Sequence, residues 1–235
     1  MDLTIVTSHW KENLEWLKKS KFPVVLINKE GADPTCFEPQ STVPNRGYET
    51  LAYFKYIIEN YENLPGHMAF IHGHETSWHQ MHDRPLMEVI ECANIQKYEY
   101  IPLNNFFRYY HFYDEAPNLE SAPSGMKLKT LWYRLGFSPI PDGCMFLLAP
   151  SSQYIVSKKR ILAIPKNVWQ TWYQVILNCS KDDELILTVF FDFVQQVIFD
   201  GNLMVNIQPD WFSFKYEPKF WHLMPEFCNP KPSSG

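Results

Sequence analysis

Apolar and polar positions along the chain change period several times, and each change marks an expected element. "LTIVTS", residues 3–8, is a short β-branched apolar run, and "ENLEWLKKS", residues 12–20, spaces Leu14 and Leu17 as a helical face with Trp16 beside them. "FPVVLINKEG", residues 22–31, is a second strand closed by the turn-prone Lys29-Glu30-Gly31. Strand, helix and strand in so short a span form a βαβ unit, whose parallel strands are buried on both faces. The Pro-, Asp- and Thr-rich stretch 32–47 reads as a loop. "GYETLAYFKYIIENYENL", residues 47–64, then places Leu51, Phe54, Ile57, Ile58 and Tyr61 at helical spacing. Pro65-Gly66 ends that helix, and "HMAFI", residues 67–71, is a third strand. This order opens a doubly wound α/β sheet.

Further along, "DRPLMEVIECANI" has a helical pattern, while "YEYIPLNNFFRYYHFYDEAP" is aromatic and loop-like. "GCMFLLAPSSQYIVS" reads as strand, turn and strand, and a helix is expected to start near Pro165 or Lys166. "DELILTVFFDFVQQVIFDG" is long enough for one buried helix, although its apolar run also admits a strand. With no internal repeat or low-complexity linker, the expectation is a single domain over 1–228 and a frayed polar tail over 229–235.

Composition narrows the partners. The chain is 46% hydrophobic and 20% charged, which argues against disorder, and a net charge of −5 excludes a broad basic footprint for nucleic acid. Cys36, Cys92, Cys144, Cys179 and Cys228 are scattered, odd in number and without a CxxC, so reduced thiols and a cytoplasmic setting are expected. The first residues meet charge too early for a signal peptide, and no apolar run approaches the roughly 20 residues of a membrane helix. Neither GxGxxG, GxxxxGK[ST] nor GxSxG occurs.

The densest chemistry is "FIHGHETSWHQMH", residues 70–82, with four of the eight histidines of the chain. If "HMAFI" is a strand, its carboxyl end delivers His72-Gly73-His74, with both imidazoles on one side and Gly73 leaving the backbone open. Ligands of open α/β sheets bind beyond that end. Two imidazoles there suit a transition metal or an anion such as a diphosphate, or else structural hydrogen bonds around Trp78. A zinc-protease helix is excluded, because His74 and His79 are five apart and do not share a helical face.

Other polar groups fall on the same expected edge: Thr7 and His9 after the first strand, and Asn28 and Lys29 at the end of the second. Asn45, Arg46 and Glu49 stand at a helix start that either holds a phosphate or sugar, or is capped and ion-paired. Ser152 and Gln153 lie in a turn that either binds hydroxyls or is plain. Asp192, in "VFFDFV", is a paired core group or an acid/base, and Glu75 is a second candidate base. His222 could return the C-terminal segment to the histidine site.

Three fragments, "NRGYETLAYFKYIIENYENLPGHMAFIHGHETSWHQ", "SSQYIVSKKRILAIPKNVWQTWY" and "YEPKFWHLMPEF", resemble a family catalogued as a domain of unknown function, common in fungi, algae and large DNA viruses. More remotely, the order of elements is similar to the nucleotide-sugar-binding half of GT-A glycosyltransferases. In those enzymes a strand following such a helix ends in Asp-x-Asp, which binds a divalent cation on the donor diphosphate. Here His72-Gly73-His74 stands in that place, and His222 resembles a C-terminal histidine that some of them bring to the metal. The resemblance implies a Rossmann-like, mostly parallel sheet flanked by helices. It also implies a nucleotide-sugar donor, a glycan or other hydroxyl acceptor, and Mn²⁺ or another transition ion at His72, His74 and His222. Thr7, His9, Asn28, Lys29, Asn45, Arg46, Glu49, Ser152 and Gln153 would contact nucleotide or sugar. Glu75 or Asp192 would activate the acceptor. Two alternatives remain open at this point: a metal-dependent hydrolase built on the histidines, and a glycan- or nucleotide-binding protein without catalysis.

Overall fold

The computed structural model describes residues 2–77, 79–80, 84–111, 128–138, 145–149, 152–201, 207–216 and 219–220. The three expected strands are present as β1 (Leu3–His9), β2 (Val24–Lys29) and β4 (His67–Ile71). The stretch read as a loop contributes a further strand, β3 (Pro39–Val43), which pairs in parallel with β2. Its polar, exposed side chains and leading proline fit a sheet edge, where one ladder donor can be missing. Between β1 and β2 the expected helix is a five-residue 3-10 segment, Glu15–Lys19, that still buries Trp16 and Leu17.

The aromatic middle also holds strands. β5 (Tyr100–Pro102) and β8 (Tyr154–Ser157) complete a six-stranded sheet in the order β3-β2-β1-β4-β8-β5. β1 is parallel to both β2 and β4, and β8 is antiparallel to both β4 and β5, so only β8 runs against the rest. β6 (Phe106–His111), β7 (Met145–Leu148) and β9 (Lys219–Phe220) form a small second sheet in the order β7-β6-β9.

Period-two alternation sorts the central strands onto two covered faces. Val6, Met68, Phe70, Tyr154 and Val156 pack with α1 (Tyr48–Asn60), α5 (Lys166–Asn178) and α6 (Lys181–Asp200). Leu3, Ile5, Ala69, Ile71 and Ile155 pack with Leu14, Trp16 and Leu17, and with α2 (Leu86–Glu91). Two shorter helices, α3 (Leu128–Arg134) and α4 (Lys158–Leu162), and a 3-10 turn, Tyr61–Asn63, complete the described elements. The protein is therefore mixed α/β, with a mostly parallel sheet flanked by helices.

α6 resolves the helix-or-strand ambiguity of its apolar run through its ends. Ser180 accepts the Asp183 N–H, three acidic residues occupy the first turn, and Gly201 closes the helix at positive φ. Cys36, Cys92 and Cys179 are free thiols, while Cys144 and Cys228 lie outside the described residues, as does the tail 229–235. Among the described residues no helix is long and apolar enough to cross a membrane.

A candidate anion site at the strand switch point

The first four strands lie in the order 3-2-1-4, so the chain reverses its winding between β1 and β4, where open α/β sheets bind ligands. Because β8 runs backwards, its start meets the carboxyl ends of β4 and β5 at this same edge. Polar groups from these tips and from the α1 start converge there.

β4 ends at Ile71, so strand alternation carries one residue further, to His72, and puts it on the α1 face with Phe70. The His72 side chain is 13% exposed, and its Nε2 lies 3.8 Å from Glu49 Oε1. That nitrogen is buried without a hydrogen-bond partner. Burial pulls the imidazole pKa down, with Glu49 pulling it back up in part. His74, beyond the strand, is exposed instead and lines an open groove of ≈ 600 Å³ with Asn13, Trp16 and Glu75. His72 and His74 thus stay within electrostatic reach of one another and of Glu12 but occupy different surroundings.

Gly73 between them is required by close approach. A Cβ there would stand 2.9 Å from Glu12 Cβ and 3.2 Å from Leu14, and the Gly73 carbonyl accepts the Trp16 indole N–H at 3.1 Å. The segment after β1 is thereby clamped to the tip of β4. Glu12, which the sequence did not single out, bends back to accept the Trp10 and Lys11 N–H groups, and these bonds help hold its carboxyl below the usual range against burial.

Lys29 is the cation of this edge. Burial lowers its pKa, and Glu49, Glu12 and Glu184 oppose that shift, yet no carboxylate among the described residues pairs with it within 4 Å. With Glu184 paired to Arg46, Glu12 and Glu49 still outnumber Lys29 and leave the edge with surplus negative charge.

The remaining predicted residues divide clearly. Thr7 is buried in the ladder, and His9, also buried, meets Asn28 Oδ1 at 3.2 Å through Nδ1. Asn45 is exposed. Arg46 donates to the Leu177 and Cys179 carbonyls at 2.7 Å, closing the end of α5, and lies 3.6 Å from Glu184. Its charged fork is therefore engaged with α5 and α6, away from the histidines. Gln153 is fully buried and acts as a junction: its Oε1 accepts the His72 N–H and the Gln80 amide, each at 3.2 Å. His79 joins the same network through Asn104, 2.8 Å away, and its burial lowers its pKa to about 4. The Asn104 contribution escaped sequence reading because a buried amide network has no periodic signature.

Ser152 is buried and donates its hydroxyl to Asp192. Burial, with Glu49 adding to it, pushes the Asp192 carboxyl up to about 8, so this group holds its proton near neutrality. Glu75 is exposed on the groove beside His74, and His222 lies outside the described residues. A hollow of ≈ 930 Å³ at the opposite edge, lined by His67, Lys97, Tyr98 and Lys158, contains none of these groups.

Among the described residues no three His, Cys, Asp or Glu gather closely enough to hold a metal ion by themselves. What the edge offers is a half-buried cation, a buried imidazole with a spare nitrogen, and carboxylates on two elements. A search of curated proteins finds no match to the chain. The family model described as "Protein of unknown function (DUF3431)" matches residues 4–210, most of the chain, and the protein belongs to that family.

Proposed function

We propose that the protein is a GT-A-like glycosyltransferase that takes a sugar from a nucleotide-sugar donor and passes it to a glycan or other hydroxyl acceptor. The observation that carries this reading is a half-buried Lys29 at the tip of β2 within electrostatic reach of the unpartnered His72 Nε2 after β4, on the carboxyl edge where doubly wound sheets hold nucleotides. A departing nucleoside diphosphate needs charge stabilisation on its oxygens, and Lys29 supplies it from a partly desolvated position.

The surplus of carboxylates, Glu12 and Glu49 above all, favours a diphosphate that enters with a divalent cation. An ion carried on a diphosphate brings phosphate oxygens to its own shell, so His72 with Glu49 would complete it. Bound there, Mn²⁺ or a similar ion would neutralise the leaving group as a Lewis acid. Of the two proposed bases, Glu75 stands on the open groove where an acceptor hydroxyl can reach it. Asp192 is enclosed beside Ser152 and keeps its proton until about pH 8.

The test is a thermal-shift screen of UDP-, GDP- and CMP-sugars with and without Mn²⁺, repeated on His72→Ala/His74→Ala. A Mn²⁺-dependent rise in melting temperature with one nucleotide class, absent in the variant, supports the transferase. No response to any nucleotide, or the same response in both proteins, refutes it.

A further inference from the structure

Tyr48 is the one residue other than glycine with positive φ among the described residues, at 44°. Such a backbone is strained for a bulky side chain and persists only where the surroundings impose it. The surroundings here do. Arg46 is bound to the end of α5, and the Gly47 N–H donates to Glu184 Oε1 at 2.6 Å. A Cβ at Gly47 would meet Ile176 at 2.6 Å, so this residue is wedged against α5 and delivers Tyr48 in its left-handed conformation.

Nothing in the core repays that strain, because Tyr48 is 50% exposed. Glycine or asparagine would begin α1 at this conformation more cheaply. What the tyrosine gains is position: its half-exposed ring lies beside the carboxyl end of β2, with Lys29 Nζ over one face 5.9 Å from the ring centroid. We infer that Tyr48 is the base-stacking residue of the donor site, offering a flat aromatic face to the nucleobase of a nucleotide whose phosphates meet Lys29. This inference rests on the nucleotide-sugar reading above and adds the residue that grips the base. The backbone that leads into the ring is fixed by Arg46 and Gly47, so little main-chain freedom is lost when a planar ligand covers its open face, a condition under which stacking yields affinity.

The experiment compares wild type with Tyr48→Gly and Tyr48→Phe by calorimetric titration with UDP, GDP and CMP, and with inorganic pyrophosphate, each with Mn²⁺. Tyr48→Gly should weaken the preferred nucleotide about tenfold, leave pyrophosphate unchanged, and melt at or above the wild-type temperature because the strain is relieved. Tyr48→Phe should retain nucleotide affinity. If Tyr48→Gly does not fold, Tyr48→Asn, which also tolerates positive φ, carries the same test. Undiminished nucleotide binding in the glycine variant overturns the inference while leaving the donor site intact. Equal loss of nucleotide and pyrophosphate overturns it too, by showing that the ring acts on the anion site rather than on the base. Wild type that binds pyrophosphate but no nucleotide more tightly removes the base-stacking role alone. Wild type that binds neither removes the donor-site reading and this one with it.

Discussion

At the scale of single residues, the site is shaped by what cannot change. Gly73 has the Glu12 side chain where a methyl group would go, so Gly73→Ala should destabilise the fold by about 1–3 kcal/mol and displace Glu12 from its backbone donors. Chemical denaturation checks the first effect, and a nucleotide titration checks the second. Two buried titratable groups set opposite pH limits. His79 is held down to about 4 against an ordinary 6.5, so the folded state resists its protonation: stability is full above pH 6.5 and falls as the pH drops toward 4, by roughly 3 kcal/mol. Asp192 is held up from 3.8 to about 8, so its share of stability is present in acid and is lost as the pH rises through 8. Asp192→Asn should therefore remove this decline between about pH 3.8 and pH 8 and leave the profile outside that window unchanged. A variant profile that still falls toward pH 8 as steeply as wild type would assign the loss elsewhere. Asp192 was legible in part, as a carboxylate among apolar neighbours that is paired in the core, whereas the clash that fixes Gly73 depends on Glu12 and Leu14 far away in the chain.

At the scale of elements, the junction of α1 with α5 and α6 decides between two readings of Arg46. Sequence spacing alone allowed either a phosphate ligand or a paired helix-start residue. The guanidinium spends its donors on the Leu177 and Cys179 carbonyls. Arg46→Ala should cost about 2 kcal/mol of stability, because two helix-end carbonyls lose their donor, while the folded fraction keeps its pyrophosphate affinity. Unfolding curves and a titration at low temperature separate the two effects. The elements themselves were legible where the apolar period is strong. β1, β2, β4, β8, α1 and α5 all follow from spacing and end signals, while spacing left α6 open between helix and strand. β3 was hidden because its polar face and proline mimic a loop, and β5 and β6 because an aromatic-rich strand lacks clean alternation. The 3-10 segment Glu15–Lys19 took the place of an α-helix because its span is too short for one and Trp16 is tethered to Gly73.

At the scale of the molecule, the parallel βαβ opening already implied a doubly wound sheet, and with it the edge at which ligands collect. What pattern could not supply was the reversed β8, which brings Gln153 and Ser152 to the same edge and ties the histidine segment to β5 through Asn104. It could not show either that His72 and His74 part company, one facing Glu49 and the other an open groove. The whole-molecule claim is that this edge binds the diphosphate of a nucleotide-sugar with Lys29 and His72. Its most direct measurement is a ³¹P NMR titration of UDP, GDP and CMP against the protein with a diamagnetic divalent ion, in wild type and Lys29→Ala. Saturable shifts of the phosphate resonances of one nucleotide, lost in Lys29→Ala, are the predicted result; phosphate signals that never move at millimolar nucleotide, or that move equally without Lys29, would contradict it.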